Sequence, residues 1–352
     1  MTVQEVLAIC NGSLTGDLQT DIAALQARMQ KYAHEPNSEE LLSAINDLAF
    51  SLLPKEQQDQ FLETTCINGK RLDAVFADAR KMVDDKRYQE AALTLHSIMA
   101  KSEQYFGEGS KIKYYSFRNP FEYHLFRQLY GTEQEFDRAP FDFCMFLTLY
   151  GYVLVELHRL EEAIDTLEKA IAFNPVNCDT RFELCEAFKL TMEPEKLLAS
   201  IRDLVPIANS TYAISRVYAN LGYYCIEIKD YDAAACFYYE SLLYADHPGV
   251  QGELVHLRSL TGKRISPPTR EEVLATFEKY DIPNGPSREL VALSVTLADQ
   301  AIKLQKTELG AYFYTIAYDL TRDEDIKMRL ESLKKRIDAE KAAGITDEID
   351  DI

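Results

Sequence analysis

One pair of residues in the sequence has the types and the spacing of a metal site. Glu253 and His256 are three positions apart, so a helix would place both side chains on one face. Carboxylate-bridged di-metal sites in helical bundles need such a Glu-x-x-His pair twice, together with two further glutamates. Because the sequence offers this single pair, we expect Glu253 and His256 to be ordinary helix residues, and we expect no bound metal.

A second candidate is the glycine-containing segment Gly107-Glu108-Gly109-Ser110. Glycine-rich turns cradle phosphate groups when they follow a strand and open a helix. No strand pattern precedes this segment, and the carboxylate of Glu108 would repel an anion, so we interpret it as a loop. The chain also lacks the P-loop, HExxH, GxSxG and CxxC motifs. We therefore predict that the protein is not an enzyme and has no cofactor.

The segment from 105 to 143 is unusual because aromatic and basic residues alternate in it. Rings and cations in such an arrangement can stack on, and pair in charge with, a nucleic acid or an acidic peptide. The alternative is an insertion, made of a loop and a helix near residues 120–130, whose rings pack on neighbouring helices. Packing is the favoured interpretation, and binding stays open. The residues concerned are Tyr114, Tyr115, Phe117, Phe121, Tyr123 and Phe126, with Lys111, Lys113, Arg118 and Arg127 between them.

The elements that would position these residues are predicted to be helices. The 352-residue chain is 47% hydrophobic, which is enough for a full core, but it has only 14 glycines and 12 prolines. Sandwiches and barrels need many tight turns, for which these two residues are the usual source. The formal net charge of −19 disfavours nucleic acid, because a phosphate backbone is bound mainly through lysine and arginine. The composition therefore predicts an all-α protein that does not bind nucleic acid.

Cysteine usage and hydropathy predict a cytoplasmic protein. The seven cysteines form no CxxC pair and lie mostly among apolar residues, as small core residues do in a reducing compartment. The first residues show no basic segment leading into an apolar one, so no secretory signal is visible. The longest uncharged stretch, 143–155, is shorter than the roughly 20 apolar residues that a spanning helix needs. We expect no membrane association.

The chain contains an internal repeat. This repeat has an offset of 71 positions, which corresponds to two units of about 34 residues and a short insertion. Small residues recur at this offset, and they would let two helices approach closely while Leu, Tyr and Phe fill the gaps. The repeat therefore predicts stacked helix pairs. Its members are Gly151, Ala163 and Ala170, which recur as Gly222, Ala234 and Ser241.

The two clearest units resemble the tetratricopeptide repeat (TPR) family. The family pattern places a large residue, Leu, Gly, an aromatic residue, and then Ala, an aromatic residue, Ala and Pro at fixed positions over about 34 residues. The resemblance implies an all-α fold, namely a right-handed α-α superhelix, or TPR-like solenoid, with a helical N-terminal cap. The first of the two units matches at Leu147, Gly151, Ala163, Ala170 and Pro175.

The repeat pattern divides the chain into three parts. Residues 1–70 have helical periodicity without the repeat pattern, and we interpret them as a cap over the apolar face of the first repeat. Residues 71–342 are assigned to TPR-like helical repeats, and residues 343–352 to an acidic tail that we expect to be disordered. The repeats comprise the clear units 144–177 and 215–248, the degenerate units 72–105, 178–214 and 291–324, and the aromatic insertion at about 105–143.

Three signals mark where helices begin. Thr269 and Glu272 have the spacing of a capping box, in which each side chain satisfies a backbone N–H of the other residue. Thr321 and Glu324 have the same spacing. Pro120 suits the first position of a helix, where no backbone N–H is needed.

The resemblance also implies a function. In tetratricopeptide proteins the first helix of each unit lines a concave groove that takes up an extended peptide or a partner helix. The protein would then be a non-catalytic scaffold that binds a protein or a peptide, and it could form homo-oligomers. The positions of this sequence that would face the groove are Arg80, Tyr152, Glu186, Arg216, Asn220, Tyr223, Asp299 and Lys303.

Two further hypotheses remain open beside the scaffold. One is a ligand- or peptide-responsive regulatory protein, since helical modules precede TPR arrays in bacterial peptide-sensing proteins; residues 1–70 lack a basic recognition helix, which weakens it. The other is an enzyme with a pocket between cap and repeats. One TPR subgroup binds C-terminal carboxylates with Lys and Asn. Arg216 and Asn220 match two of those positions, but Thr148 and Tyr152 leave the clamp incomplete.

Overall fold

A computed structural model describes residues 1–33, 35–131, 135–246 and 248–342 of the chain. Within these ranges the chain forms 18 α-helices, one 3₁₀-helix and four strands of two or three residues. The predicted all-α class is therefore confirmed. None of the helices in these ranges is long and apolar enough to cross a membrane. The predicted acidic tail, 343–352, lies outside the described residues.

The chain divides into two compact units, and the first is Met1–Val75. Its core residues recur four or seven positions apart along α1, α2 and α3, so each of these helices buries one face. The core consists of Val6, Cys10, Leu25, Tyr32, Leu41 and Ile45. The elements of this unit are α1 (Val3–Asn11), α2 (Leu18–Tyr32), α3 (Ser38–Leu52), α4 (Lys55–Thr65), the antiparallel strands β1 (Cys66–Ile67) and β2 (Lys70–Arg71), and the start of α5 (Leu72–Asp84).

The second unit, Phe76–Ile352, contains the rest of α5 and all later elements. Its helices before the middle of the chain are α6 (Tyr88–Phe106), α7 (Pro120–Tyr130), α8 (Phe143–Glu156) and α9 (Leu160–Phe173), with strands β3 (Lys113–Tyr115) and β4 (Phe136–Arg138) on either side of α7. The remaining elements are α10 (Cys178–Leu190), α11 (Pro194–Leu204), a 3₁₀-helix (Val205–Ile207), α12 (Thr211–Glu227), α13 (Tyr231–Tyr244), α14 (Pro248–Thr261), α15 (Arg270–Tyr280), α16 (Arg288–Lys303), α17 (Thr307–Thr321) and α18 (Glu324–Ala342).

Five helix pairs of the second unit share one type of connecting turn. After the first helix of each pair comes a residue of positive φ, and the next backbone N–H donates to the carbonyl five residues earlier. This hydrogen bond is the one that defines a Schellman motif. The pairs are α5/α6, α8/α9, α10/α11, α12/α13 and α16/α17, and the residues of positive φ are Lys86, His158, Met192, Lys229 and Gln305. The repeat is thus visible in the backbone independently of the side chains.

The small residues of the sequence repeat lie where paired helices are closest. A Cβ atom at Gly151 would lie 2.5 Å from the side chain of Leu167, and one at Gly222 would lie 2.5 Å from the ring of Tyr238. Contacts that short do not occur between real atoms, so both positions require glycine for the helices to pack as they do. The other small residues of the repeat are fully buried: Ala163, Ala170, Ala234 and Ser241.

The aromatic segment folds as α7 between two strands that pair in parallel. α7 begins at Pro120, as predicted. The ring of Tyr115 lies 4.5 Å from that of Phe126 and 4.9 Å from that of Phe136, measured between centroids. Phe121 is fully buried, and its ring lies 6.4 Å from that of Phe313 on α17. These rings pack within the protein.

A buried carboxylate ties α7 to the repeats. Glu122 is fully buried and accepts hydrogen bonds at 2.8 Å from Nε of Arg118 and from Nδ2 of Asn174. Arg118 also pairs with Asp179 at 2.7 Å. One of the basic residues of the aromatic segment is therefore engaged in internal ion pairs, as a buried charge requires.

The seven cysteines are all buried and unpaired. Burial raises the pKa of Cys144 to about 12, so its thiol stays protonated and unreactive at neutral pH. The expectation that these residues act as small core side chains agrees with this burial.

One of the two predicted capping boxes is formed, and the prediction of the other is wrong. Thr269 and Glu272 cap α15 in the predicted manner. Thr321 is instead the last residue of α17, and its hydroxyl donates to a carbonyl of that helix. Asp323 caps the start of α18 instead, because its Oδ1 accepts a hydrogen bond from the backbone N–H of Asp325 at 2.8 Å. A carboxylate next to the helix start provides a charged acceptor there, whereas the Thr321 hydroxyl is already engaged.

Candidate binding groove

A cavity of about 410 Å³ lies over one face of α12. The residues that α12 contributes are spaced three or four apart, so they share one side of the helix. α10 and α14 flank them, and a single residue of α13 reaches the cavity from behind. The lining residues are Tyr212, Arg216, Ala219, Asn220 and Tyr223 of α12, Glu186 and Lys189 of α10, Gly249, Val250 and Glu253 of α14, and Tyr238 of α13.

Tyr238 reaches the cavity because Gly222 leaves room for its ring between α12 and α13. Its side chain is fully buried, and its hydroxyl donates to Oε2 of Glu253 at 3.3 Å. Burial raises the pKa of Tyr238, and the neighbouring carboxylate adds to this effect, so the hydroxyl keeps its proton at neutral pH. The side chain of Tyr238 therefore packs against α12 at Gly222 and also forms part of the cavity wall.

Both cations of the cavity have internal partners. Nζ of Lys189 lies 2.8 Å from Oε1 of Glu186 and 5.1 Å from the centroid of the Tyr223 ring. The guanidinium of Arg216 lies over the ring of Phe182 at 4.2 Å, and a nitrogen of it lies 3.9 Å from the same Oε1. Ion pairs and cation–π contacts of this kind fix long side chains before any ligand arrives.

Asn220 differs from its neighbours in lacking a partner for its donor group. The residue is only 3% exposed, and its Nδ2 is buried without a hydrogen bond to any part of the chain that the structure describes. A buried donor left without an acceptor costs about 1–3 kcal/mol. Unpartnered groups of this kind are rare in folded proteins, and one that lines a cavity can be satisfied by a bound acceptor.

The structure brings four of the eight predicted groove residues together. Glu186, Arg216, Asn220 and Tyr223 all line the cavity. They come from the first helices of two successive helix pairs, α10/α11 and α12/α13.

The other four predicted residues lie elsewhere in the chain. Arg80 is exposed on α5, and Tyr152 is half-buried on α8. Asp299 accepts a hydrogen bond from the hydroxyl of Tyr314 at 2.5 Å, which gives it an internal role. Lys303 is exposed at the end of α16. None of the four lines the cavity over α12.

Seven lining residues were not predicted from the sequence, and three of them, Lys189, Tyr238 and Glu253, bear on the chemistry of the cavity. Lys189 lies one helical turn after Glu186, a spacing that could have revealed it. Tyr238 belongs to a second helix, which the family pattern assigns to packing. Glu253 attracted attention only as part of a metal motif with His256, which is exposed and does not line the cavity. In the described ranges no group of three or more His, Cys, Asp or Glu side chains could hold a metal ion.

A second cavity of about 790 Å³ lies beside the Gly107–Ser110 segment, between the end of α6 and α9. Lys111, Lys113 and Lys169 line it, and Lys169 is held by Glu103 at 2.5 Å and by Asp165 at 2.8 Å. Among the described residues that line it, no buried polar atom lacks a partner. The cavity over α12 is therefore the better candidate for a binding site.

Comparison with known proteins supports the repeat interpretation. The tetratricopeptide repeat family profile matches residues 146–177, which cover most of α8 and all of α9. No curated protein matches the chain. A solved tetratricopeptide repeat protein from Parabacteroides merdae ATCC 43184 aligns with 94% of this chain and 98% of its own at 12% identity, with a TM-score of 0.38. By its profile match and its helix pairs, the chain is a tetratricopeptide-like helical repeat protein.

Proposed function

We propose that this protein is a scaffold that binds an extended peptide segment of a partner protein in the groove formed by α10, α12 and α14. The observation that carries the proposal is the unpartnered Nδ2 of Asn220 in the wall of the cavity. A peptide backbone offers a carbonyl at every residue, and such a carbonyl is the acceptor that this donor lacks.

The size and the rigidity of the cavity agree with a peptide ligand. A volume of about 410 Å³ falls within the range of roughly 300–1,000 Å³ that is usual for ligand-binding clefts, which is room for a few groups of a peptide. Because Lys189 and Arg216 are already held by Glu186, binding would not have to order these long side chains. Such preorganisation lowers the entropic cost of association.

The groove would continue beyond the cavity along the first helices of the other units. We propose Tyr152 on α8, Arg80 on α5, and Asp299 and Lys303 on α16 as further contact positions, within a repeat array that spans residues 71–342. The buried and unpaired cysteines support a reducing compartment such as the cytoplasm as the place of action.

The replacement Asn220→Ala tests the proposal because it separates binding from stability. Removing a buried donor without a partner should leave the free energy of unfolding unchanged or raise it by about 1 kcal/mol. The same change should abolish the enrichment of ligands when the immobilised protein is used to select from a random peptide library displayed on phage. Gln89→Ala is the matched control, since it removes an exposed amide on α6, a helix that contributes no residue to the cavity.

Two results would contradict the proposal. The wild-type protein could enrich no peptide sequence above the background of a blank surface, in which case it has no peptide groove. Alternatively, Asn220→Ala could select the same sequences with the same enrichment as the wild type, in which case the groove lies elsewhere.

A further inference from the structure

The two cations and two carboxylates that line the cavity are unevenly distributed over its walls. Glu186 neutralises the cations on one side, since Lys189 lies 2.8 Å and Arg216 3.9 Å from its carboxylate. Glu183, one turn before Glu186 on α10, does not line the cavity, but its charge interacts with that of Arg216. Lys189 and Arg216 therefore share the carboxylate of Glu186 and have that of Glu183 as a further acidic neighbour, so this side of the cavity offers little net positive charge to an acidic ligand.

Glu253, on the α14 side of the cavity, has no cationic partner among the described residues. Its Oε2 accepts a hydrogen bond from the uncharged hydroxyl of Tyr238, and its Oε1 accepts none from the residues that the structure describes. Within those residues no Lys, Arg or His forms an ion pair with it. The cavity thus presents one negative charge, partly exposed to solvent, without a counter-charge among the described residues.

From these two observations we infer that the groove selects peptides that carry a lysine or an arginine. The inference rests on the proposed peptide groove and names what it binds. The backbone carbonyl of the basic residue would accept the hydrogen bond from Nδ2 of Asn220, and its cationic side chain would reach Oε1 of Glu253. The rings of Tyr212 and Tyr223, which line the same cavity, provide the aromatic surroundings that favour an organic cation.

An acidic ligand would meet a less favourable site. To reach Lys189 or Arg216, a carboxylate would have to replace Glu186 as their partner, and it would approach Glu253 without a cation between them. The formal net charge of −19 also slows the approach of acidic chains and speeds that of basic ones. The free carboxylate of Glu253, the paired cations and the negative net charge of the chain therefore all favour a basic partner segment.

The test uses the peptide selection described above with the full chain and adds a chemical readout. We expect the enriched sequences to share one Lys or Arg position. The most enriched peptide is then synthesised with blocked ends and a fluorescent label, and its Kd is compared with that of a peptide in which citrulline replaces the basic residue. Citrulline keeps the shape of arginine without the charge, and we expect it to weaken binding about tenfold or more.

Two protein variants assign the preference to Glu253. Glu253→Gln should bind the arginine and citrulline peptides with equal affinity, whereas Glu271→Gln, an exposed change on α15, should keep the preference. Tyr238→Phe removes the donor to Oε2 but leaves the charge, so it should also keep the preference. Thermal unfolding shows whether each variant is folded.

The possible failures are distinguishable. If the wild type enriches no peptide, the proposed groove and the inference both fall. If peptides bind but the enriched position is acidic, or if Glu253→Gln keeps the full preference for arginine over citrulline, the peptide groove stands and the basic specificity is refuted.

Discussion

The contact between Gly222 and Tyr238 offers a sharp test of the helix packing. In Gly222→Ala the added Cβ would lie 2.5 to 2.8 Å from three ring atoms of a fully buried side chain, so the ring has to move. Overpacking of this kind costs about 1–3 kcal/mol. The better helix propensity of alanine offsets this cost by up to about 1 kcal/mol. With the full gain from helix propensity, we expect a net loss of up to about 2 kcal/mol in the free energy of unfolding.

Gly252→Ala is the matched control for this prediction. Gly252 is exposed inside α14, and a Cβ there would have no neighbour within 4 Å. This variant should therefore gain up to about 1 kcal/mol from helix propensity alone. The measurement is urea unfolding followed by far-UV circular dichroism, with the m-values compared to confirm that the transition stays the same.

A double replacement identifies the clashing partner. When Tyr238→Leu shortens the opposing side chain, adding Gly222→Ala should cost less than it does in the wild type, which a double-mutant cycle measures. If Gly222→Ala is as stable as Gly252→Ala, or if the cycle shows no coupling, then α12 and α13 do not approach as closely as described.

Three further outcomes are expected. Ala163→Glu and Ala234→Glu should each lose about 3 kcal/mol or more in urea unfolding, because a charge enters a fully buried position, and wild-type stability in both would refute the repeat packing. Burial raises the pKa of Glu183, so its ionised form opposes folding; Glu183→Gln should be the more stable protein at pH 7, and this advantage should vanish as the pH falls below about 4 in pH-dependent thermal unfolding. Asp323→Ala should lower the free energy of unfolding by about 1 kcal/mol, because α18 loses its N-terminal cap. An equal loss in Thr321→Val would show that Thr321 caps α18 after all.

Helix pairing was predictable because close contact between two helices requires a small residue at a single position of the sequence. Gly151 and Gly222 can be recognised in the sequence, since a close helix contact tolerates few other residues. The connecting turns gave no such signal. They place residues such as Lys86 and Met192 at positive φ, where glycine is the usual choice, so only the backbone reveals them.

The candidate groove was predictable in part. The resemblance to the tetratricopeptide family placed Arg216, Asn220 and Tyr223 in the groove, and their helical spacing puts them on one side of α12. Glu253 enters the same cavity from α14, a helix outside the recognised units, and its placement depends on tertiary packing. The unpartnered state of Asn220 depends on all surrounding groups at once, so no local pattern could have predicted it.

The five equivalent turns give this chain a set of internal reporters. In each turn one amide is protected by the same hydrogen bond, and these amides belong to Arg87, Arg159, Glu193, Asp230 and Lys306. Because their local geometry is shared, differences in their hydrogen–deuterium exchange would reflect how often each helix pair opens. Exchange at these five positions would therefore show whether the array unravels from one end, one pair at a time, or opens as a single cooperative block.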